Sequence, residues 1–310
     1  MTDTKLSKAL AKGKKGLPIL LLALPGLIYL FINNYMPMAG MVVAFKTYSG
    51  RKGIWGSPWA GLSNFRYLFM TKDALIITRN TLLYNLAFIG FDTTLAVTIA
   101  ILLSKVKSSF KRQVYQSAIL LPHLISMVIV SYIVYGFLSV ENGFVNHALF
   151  ASRGLEGISW YSEPGYWPFI IVLVHCWAQV GYTCIVYYAT IIGIDQSYYE
   201  AASLEGAGQW KQVTSITIPL LRPLIITMVM LAVGKIFYSD FSLFYQVPMN
   251  SGALYSTTQV IDTYVYRGLL EQGNISMSAA AGVYQSIVGF IVVLTCNMLL
   301  RKFDSDNAVF

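Results

Sequence analysis

Ionisable side chains are scarce inside the apolar runs of this 310-residue chain, and the few that occur are the first candidates for chemistry: Asp92, Lys235 and Asp240, with His123 and His175 beside them. A charge in an apolar span is costly, so such groups face one another, a polar cavity or a solute path. Lys235 and Asp240 stand five residues apart on one predicted helix and point in different directions. That leaves Asp92, on another span, as a partner for Lys235. Ring faces and amides accompany them: Trp177, Gln179, Tyr182, Tyr187 and Tyr188 in one apolar run, then Tyr238, Asp240 and Tyr245 in the next. Helical spacing puts Trp177 and Tyr188 on one face, and likewise Tyr238 and Tyr245. Other chemistry is not signalled. The histidines (His123, His147, His175) are scattered without H-x-x-x-H spacing and no Ser/His/Asp set stands out, so no catalytic residue and no metal ligand is assigned. No G-x-x-x-x-G-K-[ST] occurs, because Gly234-Lys235 is followed by Ile236; the chain cannot cradle ATP phosphates itself and needs no cofactor of its own. Cys176, Cys184 and Cys296 lie in apolar runs and read as small hydrophobes.

The elements that must position these groups are membrane spans. The chain is 56% hydrophobic and only 12% charged, half of the roughly 25% usual in soluble domains, with a mean hydropathy of +0.59. Six apolar segments are long enough to cross about 30 Å of hydrocarbon: 17–45, 80–104, 113–138, 167–192, 224–247 and 277–300. The first is interrupted by Pro25, Gly26, Asn33, Asn34 and Pro37 and is expected to have an irregular outer end. The expected fold is therefore all-α and integral to the membrane, one transmembrane domain over residues 1–310. Residues 1–16, 105–112, 193–223 and 301–310 carry 13 Lys+Arg in 65 residues, against 8 in 91 for 46–79, 139–166 and 248–276. With Lys5, Lys8, Lys12, Lys14 and Lys15 ahead of the first span, the positive-inside rule puts both termini in the cytoplasm. The net charge of +8 is divided among short clusters between spans, which argues against nucleic acid as a partner. Trp55, Trp59, Trp160, Tyr161, Tyr166 and Trp167 gather at the outer ends, where interfacial anchoring is expected.

The cytoplasmic segment 193–223, GIDQSYYEAASLEGAGQWKQVTSITIPLLRP, is not a simple connector. Ser197-x-x-Glu200 has the form of a capping box, and Ala201, Ala202 and Leu204 continue a helix. Gly206 and Gly208 break it, a second short helix fits about 209–216, and Pro219 and Pro223 are expected to stop that helix ahead of the next span.

Glu200-Ala201-Ala202, Gly206 and Ile216-x-Ile218-Pro219, at these spacings, resemble the EAA loop of ABC importer permeases, with Ile218 where leucine is usual. The runs PMAGMVVAFKTY…GIWGSPWAGLSNF (37–65), LPHLIS (121–126) and VIDTYVYRGL (260–269) resemble the carbohydrate-importing members, the maltose-permease-like superfamily and within it the polysaccharide or complex-oligosaccharide branch. The likeness runs from about residue 17 to 310. It implies that 193–223 holds a coupling helix, with Ser197, Glu200, Ala201, Ala202, Glu205 and Gly206 meeting an ATPase. It implies as partners a second related permease, two copies of that ATPase carrying ATP and Mg, an extracytoplasmic solute-binding protein and the lipid bilayer of the bacterial cytoplasmic (inner) membrane. The solute would be an oligosaccharide passing an alternating-access cavity. Trp177, Gln179, Tyr182, Tyr188, Tyr238, Asp240 and Tyr245 are the candidates for its path, rings serving pyranose faces and amides or carboxylates serving hydroxyls. Arg51, Lys52, Arg66, Lys72 and Arg79 in the outer loop would favour acidic sugars. The competing reading is an ion-coupled secondary transporter, which would use interrupted helices and carboxylates such as Asp92 and Asp240; it leaves 193–223 unexplained. An integral membrane enzyme is disfavoured by the scattered histidines.

Overall fold

The computed structural model describes residues 18–303, apart from 19 and 155; the basic N-terminal residues Lys5, Lys8, Lys12, Lys14 and Lys15 lie outside the described residues. In chain order the helices that matter are α1 (Leu20–Phe45), α2 (Ser63–Met70), α3 (Lys72–Ser104), α4 (Ser109–Leu124), α5 (Met127–Leu138) and α6 (Trp167–Ile192). They are followed by α7 (Gln196–Leu204), α8 (Gln209–Val233), α9 (Phe241–Gln246), α10 (Ile261–Leu270) and α11 (Ile275–Phe303). Five of these (α1, α3, α8, α11 and the helix ending at Ile192) are long and apolar enough to cross a membrane, and α4 with α5 forms a sixth, broken span. The first span is irregular in its C-terminal half, with a wide turn over Phe31–Tyr35 and a tighter helix over Ala39–Phe45.

The third expected span, 113–138, is not one helix. It bends by 95° between α4 and α5. Pro122 removes a backbone donor near the end of α4, Ile125 turns extended, and the Ser126 side chain accepts from the Ile129 amide to start α5 afresh.

The fifth expected span, 224–247, is also redrawn. Its helix begins at Gln209 and ends at Val233, so Pro219 and Pro223 lie within it rather than before it. A wide turn over Val213–Thr217 precedes Pro219 and absorbs the missing bond, while Thr227 Oγ1 donates to the Pro223 carbonyl at 2.9 Å. Beyond Gly234 the backbone unwinds, and Asp240 caps α9 by accepting from the Leu243 amide at 3.1 Å. Lys235 and Asp240 are consequently not on one helix, and neither are Tyr238 and Tyr245.

The core is built from three buried clusters. Ala96 and Ala100 on α3 are fully buried against Cys184, Tyr187 and Ile191 of α6, small side chains allowing the two backbones to close up. A second cluster packs Tyr84, Phe88, Trp167, Ile171 and Phe244 together. A third cluster joins Leu68, Ile77, Ile236, Phe237, Ile261 and Ala281. Gly181 on α6 is a closest-approach point: a Cβ there would fall onto the carbonyl of Ile119 in α4.

Candidate functional site

The break after α8 opens a cavity of about 630 Å³ between α3, α6 and the unwound segment. Backbone that leaves a helix at membrane depth must find partners inside the protein or line a polar space. Here three side chains serve it. Asn85 Nδ2, on α3, donates to the carbonyls of Ile236 (2.9 Å) and Tyr238 (3.2 Å). Gln285 Nε2, on α11, donates to Phe237 O at 2.6 Å and to both oxygens of Asp262 at 3.2 Å. Asp262 Oδ2 in turn accepts from the Ser239 amide at 2.7 Å. Burial raises the Asp262 carboxyl above the usual carboxylate range, partly offset by these donors.

Asp92, Lys235 and Asp240 all line this cavity, as do Gln179, Tyr238 and His175. Asp92 does not hydrogen-bond to Lys235: its Oδ2 accepts from Thr183 Oγ1 at 2.9 Å, and its Oδ1 is buried without a protein partner. His175 stacks on Phe88, ring centroids 3.7 Å apart and planes within 10°, and its Nδ1 is likewise buried without a partner. Tyr187 OH and Ser239 Oγ on the same wall are also buried without a partner, and a cavity with four such unspent polar atoms, a cation and ring faces is suited to hydrogen-bonding a polar solute.

The other pathway candidates fall elsewhere. Trp177 and Tyr188 share a face by spacing, yet Trp177 is 45% exposed and Tyr188 is buried among Ala96, Cys184 and Ile191, and neither lines the cavity. Tyr182 is half exposed with its ring stacked 4.9 Å from that of His123. Tyr245 belongs to a separate outer cluster with Phe241 and Tyr266 and donates to Glu271 Oε1 at 3.3 Å. Residues that sequence reasoning did not single out for the site are Asn85, Thr183, Gln285 and Asp262. Asparagine and glutamine within apolar runs were the available signal.

On the opposite side of the spans, α7 and the start of α8 form a tight hairpin. Its N-cap is Asp195, not Ser197 as the capping-box pattern predicts; Asp195 Oδ1 accepts from the Ser197 amide at 2.9 Å. The donors from Ser197 hold this carboxyl below the usual carboxylate range. Gly206 ends α7 at φ +82°, with Ala207 N donating to Ala202 O and Gly206 N to Ser203 O, a left-handed closure that glycine alone adopts freely. Gln212 Nε2 clasps the hairpin through Ser203 Oγ (2.9 Å) and Ala207 O (3.1 Å), and Tyr199 OH bonds Thr217 Oγ1 at 3.0 Å. Glu200, Ala201, Leu204 and Glu205 are left exposed on its outer surface, with Leu204 at 90%.

The fold has well-defined relatives. The family described as "Binding-protein-dependent transport system inner membrane component" matches residues 93–304. Protein LplB of Bacillus subtilis is 34% identical over 93% of this chain and 89% of its own length. The polygalacturonan/rhamnogalacturonan transport system permease protein YteP of the same organism is 32% identical over 93% and 88%. Among solved structures, a bacterial ABC transporter involved in the import of the acidic polysaccharide alginate superposes with TM-score 0.86 at 29% identity, covering 96% of this chain and 99% of that one. The alginate transporter in complex with an alginate pentasaccharide-bound periplasmic protein gives 0.83 at 30%, covering 94% and 96%.

Proposed function

The chain belongs to the family of binding-protein-dependent transport system inner membrane components, and from that premise we infer that it is the permease subunit of an ABC importer passing oligosaccharides or polysaccharide fragments across the inner membrane. Hydrolysis of ATP, with Mg, belongs to two copies of a separate ATPase, and a second related permease and an extracytoplasmic solute-binding protein complete the assembly. Both termini face the cytoplasm, and the hairpin of α7 docks on the ATPase through Glu200, Ala201, Ala202, Glu205 and Gly206, with Ser197 at its base.

The observation that carries this reading is the cavity of about 630 Å³ beside a broken membrane helix. In it Asp92, Gln179 and His175 accept or donate to solute hydroxyls, and Tyr238 offers a ring face. Asp240 acts indirectly, since its carboxylate is engaged in capping α9. Movement of the docked hairpin is passed to α8 through the Gln212 clasp and the Tyr199–Thr217 bond, and α8 forms one wall of the cavity. That linkage couples nucleotide state at the ATPase to the width of the path.

Acidic saccharides are the substrate class supported best. Two of the compared proteins carry polygalacturonan/rhamnogalacturonan or alginate in their descriptions, and Arg51, Lys52, Arg66, Lys72 and Arg79 are exposed on the segment assigned to the outer side. The decisive experiment is a pull-down from detergent-solubilised membranes comparing the wild type with Glu200→Ala plus Gly206→Pro. Wild type should bring down an ATPase and a second permease, and the variant should lose the ATPase while keeping the permease. A chain that purifies alone and transports without ATP would remove the reading. Replacing the five outer basic residues with glutamine should weaken uptake of acidic but not neutral oligosaccharides, and equal effects on both would remove the substrate class.

A further inference from the structure

We propose that the cytoplasm-side end of this subunit is a binding site for an anionic phospholipid, its phosphate held by Lys105 and Arg112 and one acyl chain laid in the groove between α3 and α8. The proposal rests on the orientation given above. Two cavities at this end share Lys105. The first, about 460 Å³, lies between the end of α3, the first turn of α4, the end of α6 and α7; it is lined by Lys105, Arg112 and Gln196, with Ser104, Tyr199 and Gln212 bonded within the protein, and no carboxylate is among its lining residues. The second, about 700 Å³, runs up along α3 and α8 and is walled by Val97, Ile101, Leu102, Val213, Ile218 and Ile225.

Lys105 belongs to both walls, and its ammonium lies 5.5 Å from the centroid of the Tyr199 ring, which holds it at the junction. A lysine so placed lays its methylene stem along apolar surface and keeps its charge at the polar end. Two cations beside the amide of Gln196, with no carboxylate among the lining residues, select a phosphodiester. The adjoining groove selects a long apolar tail on that same ligand. A free phosphate would use the cleft alone, and an apolar peptide the groove alone; the continuity through Lys105 is what favours a molecule having both parts. Trp210, 77% exposed and on the groove wall, is placed as interfacial indoles are at the level of lipid headgroups. The attraction of anionic lipid to such cations supplies the headgroup preference.

Trp210 also supplies the probe. The assembled importer is reconstituted in phosphatidylcholine discs containing either brominated phosphatidylglycerol or brominated phosphatidylcholine, with Trp210→Phe defining the background from the other tryptophans. The brominated phosphatidylglycerol should quench Trp210 at a far lower mole fraction than the zwitterionic lipid. Lys105→Gln with Arg112→Gln should raise the fraction needed about thirtyfold, on the basis of the usual contribution of two interfacial cations, while Lys105→Arg should preserve it. Inorganic phosphate should not restore the unquenched signal. Equal quenching by the two lipids, indifference to the double change, displacement by phosphate alone, or no quenching because a partner subunit fills the groove would each overturn the proposal. The orientation is checked separately by labelling Lys107→Cys with an impermeant reagent. Labelling from the outer face would refute the orientation without bearing on the lipid contacts themselves.

Discussion

Replacing Asn85 with leucine removes the side-chain amide that serves the unwound segment and keeps its branched four-atom shape. Three acceptors lose a donor: Thr81 O, Ile236 O and Tyr238 O. They are not equal. Thr81 O lies one turn before Asn85 within α3 and keeps its ordinary helical bond. Tyr238 is half exposed and borders the cavity, so water replaces its lost donor at little cost. Ile236 is buried, and its carbonyl faces only Asn85; leaving such a group unpaired costs about 1–3 kcal/mol. Adding about 0.6 kcal/mol for the weaker bond gives a destabilisation of about 1.6–3.6 kcal/mol. For a chain of this length that is about 2–6 °C in melting temperature, taking ~2.1 cal/mol/K per residue for the unfolding entropy. The assay is a thermal ramp of the purified complex followed by tryptophan emission, alongside solute-stimulated ATP hydrolysis. Because the segment carries Lys235 and Tyr238 into the cavity, stimulation should fall even at temperatures where the complex is intact. Asn85→Asp, isosteric but unable to donate when ionised, should be at least as harmful. A leucine variant that melts with the wild type, or an aspartate variant that behaves normally, would refute the claim that the amide holds the broken helix.

Further outcomes follow from the same geometry. Gly181→Val should separate α6 from α4 by forcing the Ile119 carbonyl away, and overpacking of this kind costs about 1–3 kcal/mol; an unchanged melting temperature would mean the two helices are not in contact there. Gln179→Leu should lower solute-stimulated ATP hydrolysis, whereas Tyr182→Ala, away from the cavity, should leave it unchanged, and the reverse order would relocate the path to the other face of α6. Asp262, whose carboxyl is raised by burial, favours the protonated form in the folded state more than in the unfolded one, so its contribution to stability is greatest at low pH and falls as pH rises through the folded value. Asp262→Asn should therefore match the wild type in acid and equal or exceed it at neutral pH; a variant that is less stable only at neutral pH would show that the ionised carboxylate is the favoured partner of Ser239 and Gln285.

How much of this was legible in the sequence depended on whether a feature is periodic or is a break. The spans of α3, α6 and α11 follow from continuous apolar runs, and α1 from a run long enough to read as a span despite its interruptions, because length and hydropathy decide what crosses a bilayer. The breaks do not announce themselves in the same way. At 113–138 the average hydropathy stays high through Pro122 and Ser126, and only the loss of a donor and the capping oxygen turn the chain by 95°. At 224–247 the prolines read as stops, while the real stop is Gly234, where the partners that make unwinding affordable, Asn85 and Gln285, lie about 150 and 50 residues away in sequence. No local pattern could reveal that pairing.

The same distinction explains the site. Asp92, Gln179, Lys235 and Asp240 stand out by their chemistry, since a charge or amide in an apolar run must be accounted for, and of the aromatic path candidates Tyr238 joins them on the cavity wall. Trp177, Tyr182 and Tyr188 are candidates as rings, and the helical spacing that pairs Trp177 with Tyr188 fixes a common face without saying whether that face meets lipid, a neighbouring helix or a cavity. An aromatic ring is equally at home in all three places, whereas an amide or carboxylate is at home in only one. Among candidates within a membrane span, the groups that are hardest to bury therefore locate a solute path better than those best able to stack on the solute. The four polar residues that the sequence does not assign to the solute path, Asn85, Thr183, Asp262 and Gln285, obey the same logic: each is fixed by a hydrogen bond to an element distant in sequence, and each lies on the cavity wall or holds the backbone that forms it.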